Sequence, residues 1–483
     1  LGWRAQGAAP GLLDLTALAD SAGAGSDGQR AAFLASLDLG EGSAADAAAE
    51  NPYYGKKDPA EALAFCTTVD QAESLIDAML LYWENAERQV ALEANLTRAR
   101  ELLADRVELN RPEDVGEVKH KLNVIYFIGS DAEPVADYER RLSELLLYLQ
   151  QFYGKEMARN GFGIRSVALP LKENGEVDIT LIRGKQKAAE YPYSGEAALR
   201  CLKEIDAYFR EHPERRRSRH NFVIMPTQQD EKYNDDNPGG VPFFGYGRHC
   251  FALDYKEFDL RHLGLDTRYG HLLTKWFGGF AHELGHGLNM PHNNGPTSEL
   301  KRLGTPLMGS GNYTFGYKPT YMTKASCAIL DVCEVFPGAN QPTEYYTPPA
   351  QPLTGVEVKS SFEGAALKLE FHLPAAGAAV KAVNVYVQDP PSAVNQDYDA
   401  VAFTAQRAAA SAEGSGKDEG VTWTCTVPMG ELSGLGKNER DVSAIFLYPN
   451  GYRYRWTASF KVSARRNVEP LPLHNQHFSA SPH

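Results

Sequence analysis

The chain has 483 residues, of which 49 are basic and 62 acidic, giving a formal net charge of −13. That acidic balance argues against nucleic acid or an anionic membrane surface as the main partner. No run of about 18 apolar residues offers a membrane-spanning helix, and 483 residues exceed what a single core holds, so two or three domains are expected.

In chain order, the sequence opens at Leu1 with neither an initiator methionine nor an apolar signal core, which reads as a mature or trimmed chain. Residues 1–59 are rich in Ala, Gly and Ser. From Ala60 to Leu109 the pattern turns helical, with Leu75, Met79, Trp83, Ala86 and Val90 at three- and four-residue steps along one apolar stripe. Residues 1–118 are therefore expected to be a mainly helical region, a brace or small domain, with a site-blocking prodomain as the other reading. No motif supports a cysteine-switch role for Cys66.

A second part is expected over 119–338. The run Leu122–Ile128 reads as a buried strand, and Leu142, Leu145, Leu146, Leu149 and Phe152 mark a helix. The turn dipeptide Asn174-Gly175 then predicts a hairpin between Ile164–Leu171 and Val177–Ile182. A helix over Gly195–Arg210 leads to a strand at Phe222–Met225. The basic run Arg215 to Arg219 reads as the solvated, dipole-favoured end of that helix. The acidic loop Asp230 to Asn237 matches no calcium-loop spacing, so a solvated connection is expected there and Ca2+ is possible but unsupported.

The next stretch, Trp276 to His292, reads WFGGFAHELGHGLNMPH. Residues four apart on a helix share one face, so His282 and His286 can present two imidazoles to one ion, while Glu283 can reach a water bound there. Catalytic zinc usually keeps three protein ligands and one open position, and His292 is the candidate third ligand. For it to arrive, the chain must leave the helix after His286. Asn289 stands at the turning position and tolerates a left-handed backbone, and Pro291 stops the helix from continuing. An acidic third ligand such as Glu299 is the alternative, but it lacks that local rationale.

This motif resembles the HExxHxxGxxH pattern of the metzincin clan of zinc endopeptidases, with Asn289 in place of the glycine. The resemblance implies a methionine turn beneath the metal. Gly304 to Tyr317 supplies one, with Met308 as its methionine, and Tyr313 or Tyr317 as a candidate hydrogen-bond donor to the oxyanion. It also implies an edge strand that pairs with extended substrate, for which Val241 to Tyr255 is the candidate, an ordinary hairpin being the alternative.

Thr320–Phe336 reads as a closing helix and 339–352 as a Pro-bearing linker. Over 353–470, alternating runs (Leu367, Leu369, Phe371, Leu373; Val383, Val385, Val387; Val421, Trp423, Cys425, Val427) and an Asn450-Gly451 turn before Tyr452, Tyr454 and Trp456 predict an immunoglobulin-like β-sandwich. Residues 471–483 read as a tail. Six scattered cysteines neither demand nor forbid an oxidising compartment.

The expected fold class is α+β multidomain: a metzincin-like catalytic domain with a mixed twisted sheet plus helices, an N-terminal helical region and the C-terminal sandwich. The expected function is zinc-dependent endopeptidase, with one catalytic Zn2+ on His282, His286 and His292 and with Glu283 as general base. Its partner is a protein or peptide substrate, glycoproteins included, with no nucleic acid. The resemblance implies a secreted, periplasmic or cell-surface location. The alternative is a zinc-containing cell-surface binding protein with lost or restricted activity, in which the sandwich is the working part, though an intact Glu283 argues against it.

Overall fold

The computed structural model describes residues 106–390, 398–408, 420–432, 435, 439–461 and 473–480, all within one compact unit spanning 101–483. The helical region expected over 1–118 lies outside these residues except for 106–118, where a single helical turn forms at Pro112–Val115, and Cys66 also lies outside them. Among the described residues no helix is long and apolar enough to cross a membrane.

Every residue of β1 (Asn123–Ile128) is buried, as expected of a parallel strand covered on both faces. It pairs in parallel with β2 (Thr180–Arg183) and β3 (Asn221–Pro226), and β3 pairs in parallel with β5 (His249–Asp254). The short β4 (Gly245–Tyr246) runs antiparallel to β5 and forms the edge, giving the order β2-β1-β3-β5-β4. Three helices accompany the sheet: α1 (Tyr138–Arg159), α2 (Gly195–Glu211) and α3 (Arg268–Gly287). In α1, Leu142, Leu145, Leu146, Leu149, Tyr153 and Met157 recur at helical spacing and are all buried. The Tyr153 hydroxyl donates to the carbonyl of Ala281 at 3.0 Å, which ties α1 to α3 one residue before the first motif histidine.

A buried ion pair fixes α1 to the end of β5. Arg141 reaches Asp254 at 2.7 Å, and the carboxylate also accepts from the Tyr126 hydroxyl at 2.9 Å. With its lone pairs satisfied in this way, the charge is tolerated without exposure.

Three sequence expectations are corrected. The hairpin at Asn174-Gly175 shrinks to its turn and one bridge, Leu171 with Val177, because the following residues leave to pair in parallel with β1. The closing helix is only α5 (Lys324–Leu330), capped by Thr323 and preceded by β7 (Thr320–Tyr321), which pairs with β6 (Thr305–Pro306). The short α4 (Thr297–Leu303) precedes β6. The basic run is not simply solvated: Arg215 and Arg217 both pair with Asp178, and Arg216 pairs with Asp206.

The remaining strands form two sheets. One holds β8 (Glu357–Glu363), β9 (Ala366–Leu373), β12 (Gln406–Arg407) and β13 (Val421–Pro428) in the order β12-β13-β9-β8. The other holds β10 (Ala382–Gln388), β11 (Val401–Thr404), β14 (Glu439–Leu447), β15 (Arg453–Lys461) and β16 (His474–Ala480) in the order β11-β10-β14-β15-β16. Leu367, Leu369 and Phe371 of the first sheet share a core with Val383, Val385, Phe446 and Trp456 of the second. β16 lies in the stretch expected as a tail and pairs with β15.

The outer face of the second sheet is also covered. Tyr386, Ala402, Ile445 and Leu447 belong to the same core as β1 and α3. Asn294, two residues past His292, exchanges main-chain hydrogen bonds with Ala400 and Ala402 at 2.7 and 2.9 Å. The stretch expected as a linker is anchored as well: Tyr345 is buried, and the Tyr346 hydroxyl lies 2.6 Å from Nε2 of His220. The two-sheet part is thereby docked against the motif region.

Candidate metal centre

Helix α3 begins under a Thr267 cap, whose side chain accepts from the N–H of Gly270. It ends in a Schellman closure: Asn289 N–H donates to His286 O at 2.8 Å and Met290 N–H donates to Gly285 O at 3.0 Å. Asn289 has φ 71°, the left-handed conformation that the turn requires. The closure reverses the chain so that His292 returns to the two helical histidines.

One nitrogen from each of His282, His286 and His292 lies within 4.8 Å of the others, a group able to hold one metal ion. Second partners fix the rings. His282 Nδ1 sits 2.8 Å from the carbonyl of Leu307, and His286 Nδ1 sits 2.9 Å from the carbonyl of Met290. Each Nδ1 therefore carries the proton and donates it, leaving Nε2 with its lone pair facing the centre. His286 Nε2 and His292 Nε2 are 2.9 Å apart, and His282 Nε2 is buried without a hydrogen-bond partner. A buried acceptor without a hydrogen-bond donor fits a metal-ligand atom, and three neutral imidazoles form a donor set that suits zinc.

Burial sets the protonation states. It pushes His282 down to about 4 and His286 down to about 3, so both are neutral near pH 7. It pushes Glu283 up to about 8, with a main-chain hydrogen bond from Gly245 acting in the opposite direction. A carboxyl group poised near neutrality suits proton transfer in both directions.

Gly245 brings the edge strand against this helix. A Cβ there would lie 2.2 Å from Cβ of His286, so only glycine permits the approach. Beneath the helix, Met308 is buried with its sulfur against Gly285, 2.3 Å from where a Cβ at that position would sit. The neighbouring Leu307 supplies the carbonyl that orients His282.

The tyrosines proposed from the sequence as oxyanion helpers are not among the residues lining the cavity beside the histidines, although Tyr313 is an electrostatic neighbour of Tyr398, which does line it. Tyr313 ends a short turn at Ser310–Tyr313 and is 67% exposed. The ring of Tyr317 packs 5.4 Å from that of His271, early in α3. The cause is the close seating of this turn on α3, where the carbonyl of Asn312 fills the space a side chain at Gly278 would need. Neither tyrosine lines the cavity beside the histidines. The alternative ligand Glu299 is likewise outside the histidine group, with Arg159, Arg302 and Tyr321 as its electrostatic neighbours.

That cavity, about 550 Å³, is lined by Tyr193, Phe243, Gly245, Glu283, His286 and His292 from the first part. It is also lined by Tyr398, Ile445, Arg453 and Arg455 from the second. Tyr193, Tyr398, Arg453 and Arg455 escape sequence reasoning, because none belongs to a motif and only long-range packing brings them to the histidines.

No profile of a known protein family matches the chain, and no curated protein sequence matches it. Solved structures do. OgpA from Akkermansia muciniphila, wild type, superimposes with a TM-score of 0.69 at 47% identity, covering 77% of this chain and 99% of that one. A second crystal form of the wild type matches with a TM-score of 0.66 at 46% identity, covering 76% and 98%. Catalytically inactive OgpA, solved in complex with an O-glycopeptide (glycodrosocin) substrate, matches with a TM-score of 0.65 at 47% identity, covering 74% and 96%. At that identity over nearly the whole of its relative, the chain belongs to the family of OgpA.

Proposed function

We propose that this chain is a zinc-dependent endopeptidase of the metzincin type that cleaves O-glycosylated peptides and proteins. The observation that carries the reading is the convergence of His282, His286 and His292 with the poised Glu283 beside them. Kinship with OgpA, whose inactive form was solved with an O-glycopeptide substrate, supports the substrate class. We read the first sheet and its helices as the catalytic domain, the two-sheet part as an immunoglobulin-like sandwich, and the protein as exported.

Zinc held by the three imidazoles would supply Lewis acidity, lowering the pKa of a water to about 7 and polarising the scissile carbonyl. Glu283 takes the proton of the attacking water and passes it to the departing amine nitrogen. The edge strand β4 offers main-chain groups to an extended peptide across the site. Leu307 and Met290 hold His282 and His286 in the tautomer that keeps Nε2 free.

The test is cleavage of matched glycosylated and unglycosylated peptides by the zinc-loaded chain and by its Glu283→Ala variant. Turnover of the glycosylated set that vanishes in the variant is the expected result. Turnover that persists in folded Glu283→Ala, or an inert zinc-loaded wild type, would sink the reading. The binding-protein alternative has no observation in its favour, since a site used only for structure has no need of Glu283.

A further inference from the structure

We propose that Arg453 and Arg455, on one face of β15, form a subsite beside the histidine cluster for a carboxylate of the bound substrate. The proposal rests on the peptidase reading above and adds to it which chemistry the cleft selects.

The alternation along β15 separates two faces. Tyr454 and Trp456 point into the core between the two sheets. Arg453 and Arg455 point the other way, opposite Leu447 and Ile445 in the β14 register, and both line the cavity that holds Glu283, His286 and His292. The sheet thus delivers two guanidinium groups to the catalytic cleft.

Neither guanidinium forms an ion pair with a carboxylate among the described residues. Arg453 donates from Nη1 to the main-chain oxygen of Asn289 at 2.9 Å, and its Nε is buried with no hydrogen-bond partner. Its charged neighbours are Arg455 and Arg248, both of the same sign. Arg248 has a buried Nη1 that is also without a partner, and its guanidinium lies 4.8 Å from the Tyr346 ring centroid. Among the described residues lining the cavity, Glu283 is the only carboxylate.

A half-buried guanidinium such as that of Arg453, with a buried Nε and other cations beside it, is better satisfied when an anion arrives. A guanidinium with unused N–H groups in a fixed fork suits a carboxylate geometrically. This local positive field stands out in a chain of net charge −13, and it lies beside the centre where the substrate must reach. The ligand chemistry is therefore a carboxylate carried by the substrate, either on an acidic side chain of the peptide or on an acidic sugar of its glycan.

The test uses the full chain as zinc-loaded Glu283→Ala, which binds without turnover, and titrates three O-glycopeptides of one parent sequence by calorimetry. One carries a neutral glycan and neutral flanking residues, one a glutamate beside the glycosylated residue, and one a sialylated glycan. At least one acidic ligand is expected to bind about tenfold more tightly than the neutral one at low salt. Adding Arg455→Gln, at an exposed position, should erase that preference, as should high salt. A preference confined to the glutamate ligand assigns the carboxylate to the peptide, and one confined to the sialylated ligand assigns it to the glycan. Equal binding of all three, or a preference that survives Arg455→Gln, overturns the subsite alone. No binding of any of them by a folded, zinc-loaded protein overturns both the subsite and the glycopeptidase reading.

Discussion

The ring of Tyr398 lies over the ring of His292, with centroids 3.7 Å apart and planes 25° apart, although the two residues belong to different parts of the molecule. His292 is the proposed ligand on the returning turn, whereas His282 and His286 are set by their helix. The rings of His282 and His286 are also held by the carbonyls of Leu307 and Met290, and Tyr398 packs on the face of His292. An aromatic pair of this kind contributes about 0.5–1.5 kcal/mol. Tyr398→Ala is therefore expected to weaken zinc binding by roughly two- to tenfold, while Tyr398→Phe, which keeps the stack, stays near wild type. Competition with a chromophoric chelator reads this directly. Equal loss in both variants would shift the role from the ring to the hydroxyl.

Gly245 offers a sharper steric test. A Cβ at this position meets Cβ of His286 at 2.2 Å, and neither atom is the far end of a flexible chain. Gly245→Ala must move either the edge strand or the helix, at a cost of about 1–3 kcal/mol. The same displacement degrades placement of Glu283 and of any peptide along β4. A fall in kcat/KM of about ten- to a hundredfold is expected, with the fold retained by circular dichroism. Unchanged kcat/KM would mean that β4 does not meet the substrate.

The motif is legible in the sequence because everything it requires is local. The three-residue gap that puts His282 and His286 on one face, the adjacent Glu283 and the turn at Asn289 all lie within Trp276–His292. The long strands β1, β3, β9, β10 and β13 are legible for the same reason, as runs of a single period. The closing helix is overestimated because nearly every residue from Ala325 to Phe336 is buried, which leaves no polar face to mark where the helix stops. On β15 the alternation is visible, yet it directs attention to the aromatics, which are core, and treats Arg453 and Arg455 as ordinary solvent-facing residues. Whether the other face of a sheet meets water or a second part of the molecule is a tertiary fact. Tyr313 and Tyr317 are outside the cavity lining for a similar reason: nearness to Met308 in the chain says nothing about which way a turn directs its side chains.

Asn289 stands where the clan pattern has glycine, and its φ of 71° suits glycine at least as well. Its Oδ1 is buried without a partner, while its main-chain oxygen accepts from Arg453. Asn289→Gly removes the strained side chain and the orphaned oxygen but keeps that carbonyl. Zinc affinity is expected to hold and stability to change by no more than about 1 kcal/mol. Asn289→Val places a β-branched residue in the left-handed region and should destabilise the chain by about 1–2 kcal/mol or more, with weaker zinc binding. Thermal unfolding of the zinc-free and zinc-loaded forms separates the two effects. A harmless Asn289→Val would show that the turn is not strained.

The metal-free protein should lose stability on both sides of neutrality, for opposite reasons. His282 and His286 are pushed down to about 4 and about 3, whereas an imidazole in the unfolded chain titrates near ~6.5. Below that value the unfolded chain takes up protons that the folded one refuses, so stability falls with pH until the folded values are reached. Glu283 is pushed up to about 8, against roughly 4.3 when unfolded. Above that lower value the unfolded chain releases a proton that the folded one keeps, so this group removes stability as pH rises toward 8. Glu283→Gln abolishes the second effect and leaves the first. Measured in chelator, its Tm should match wild type near pH 4 and rise progressively above it toward pH 8, by an amount equivalent to a few kcal/mol in order of magnitude. A Tm difference that stays flat between these limits would mean that Glu283 ionises normally in the fold, and its fitness as the proton carrier would then have to come from the bound metal and substrate rather than from burial.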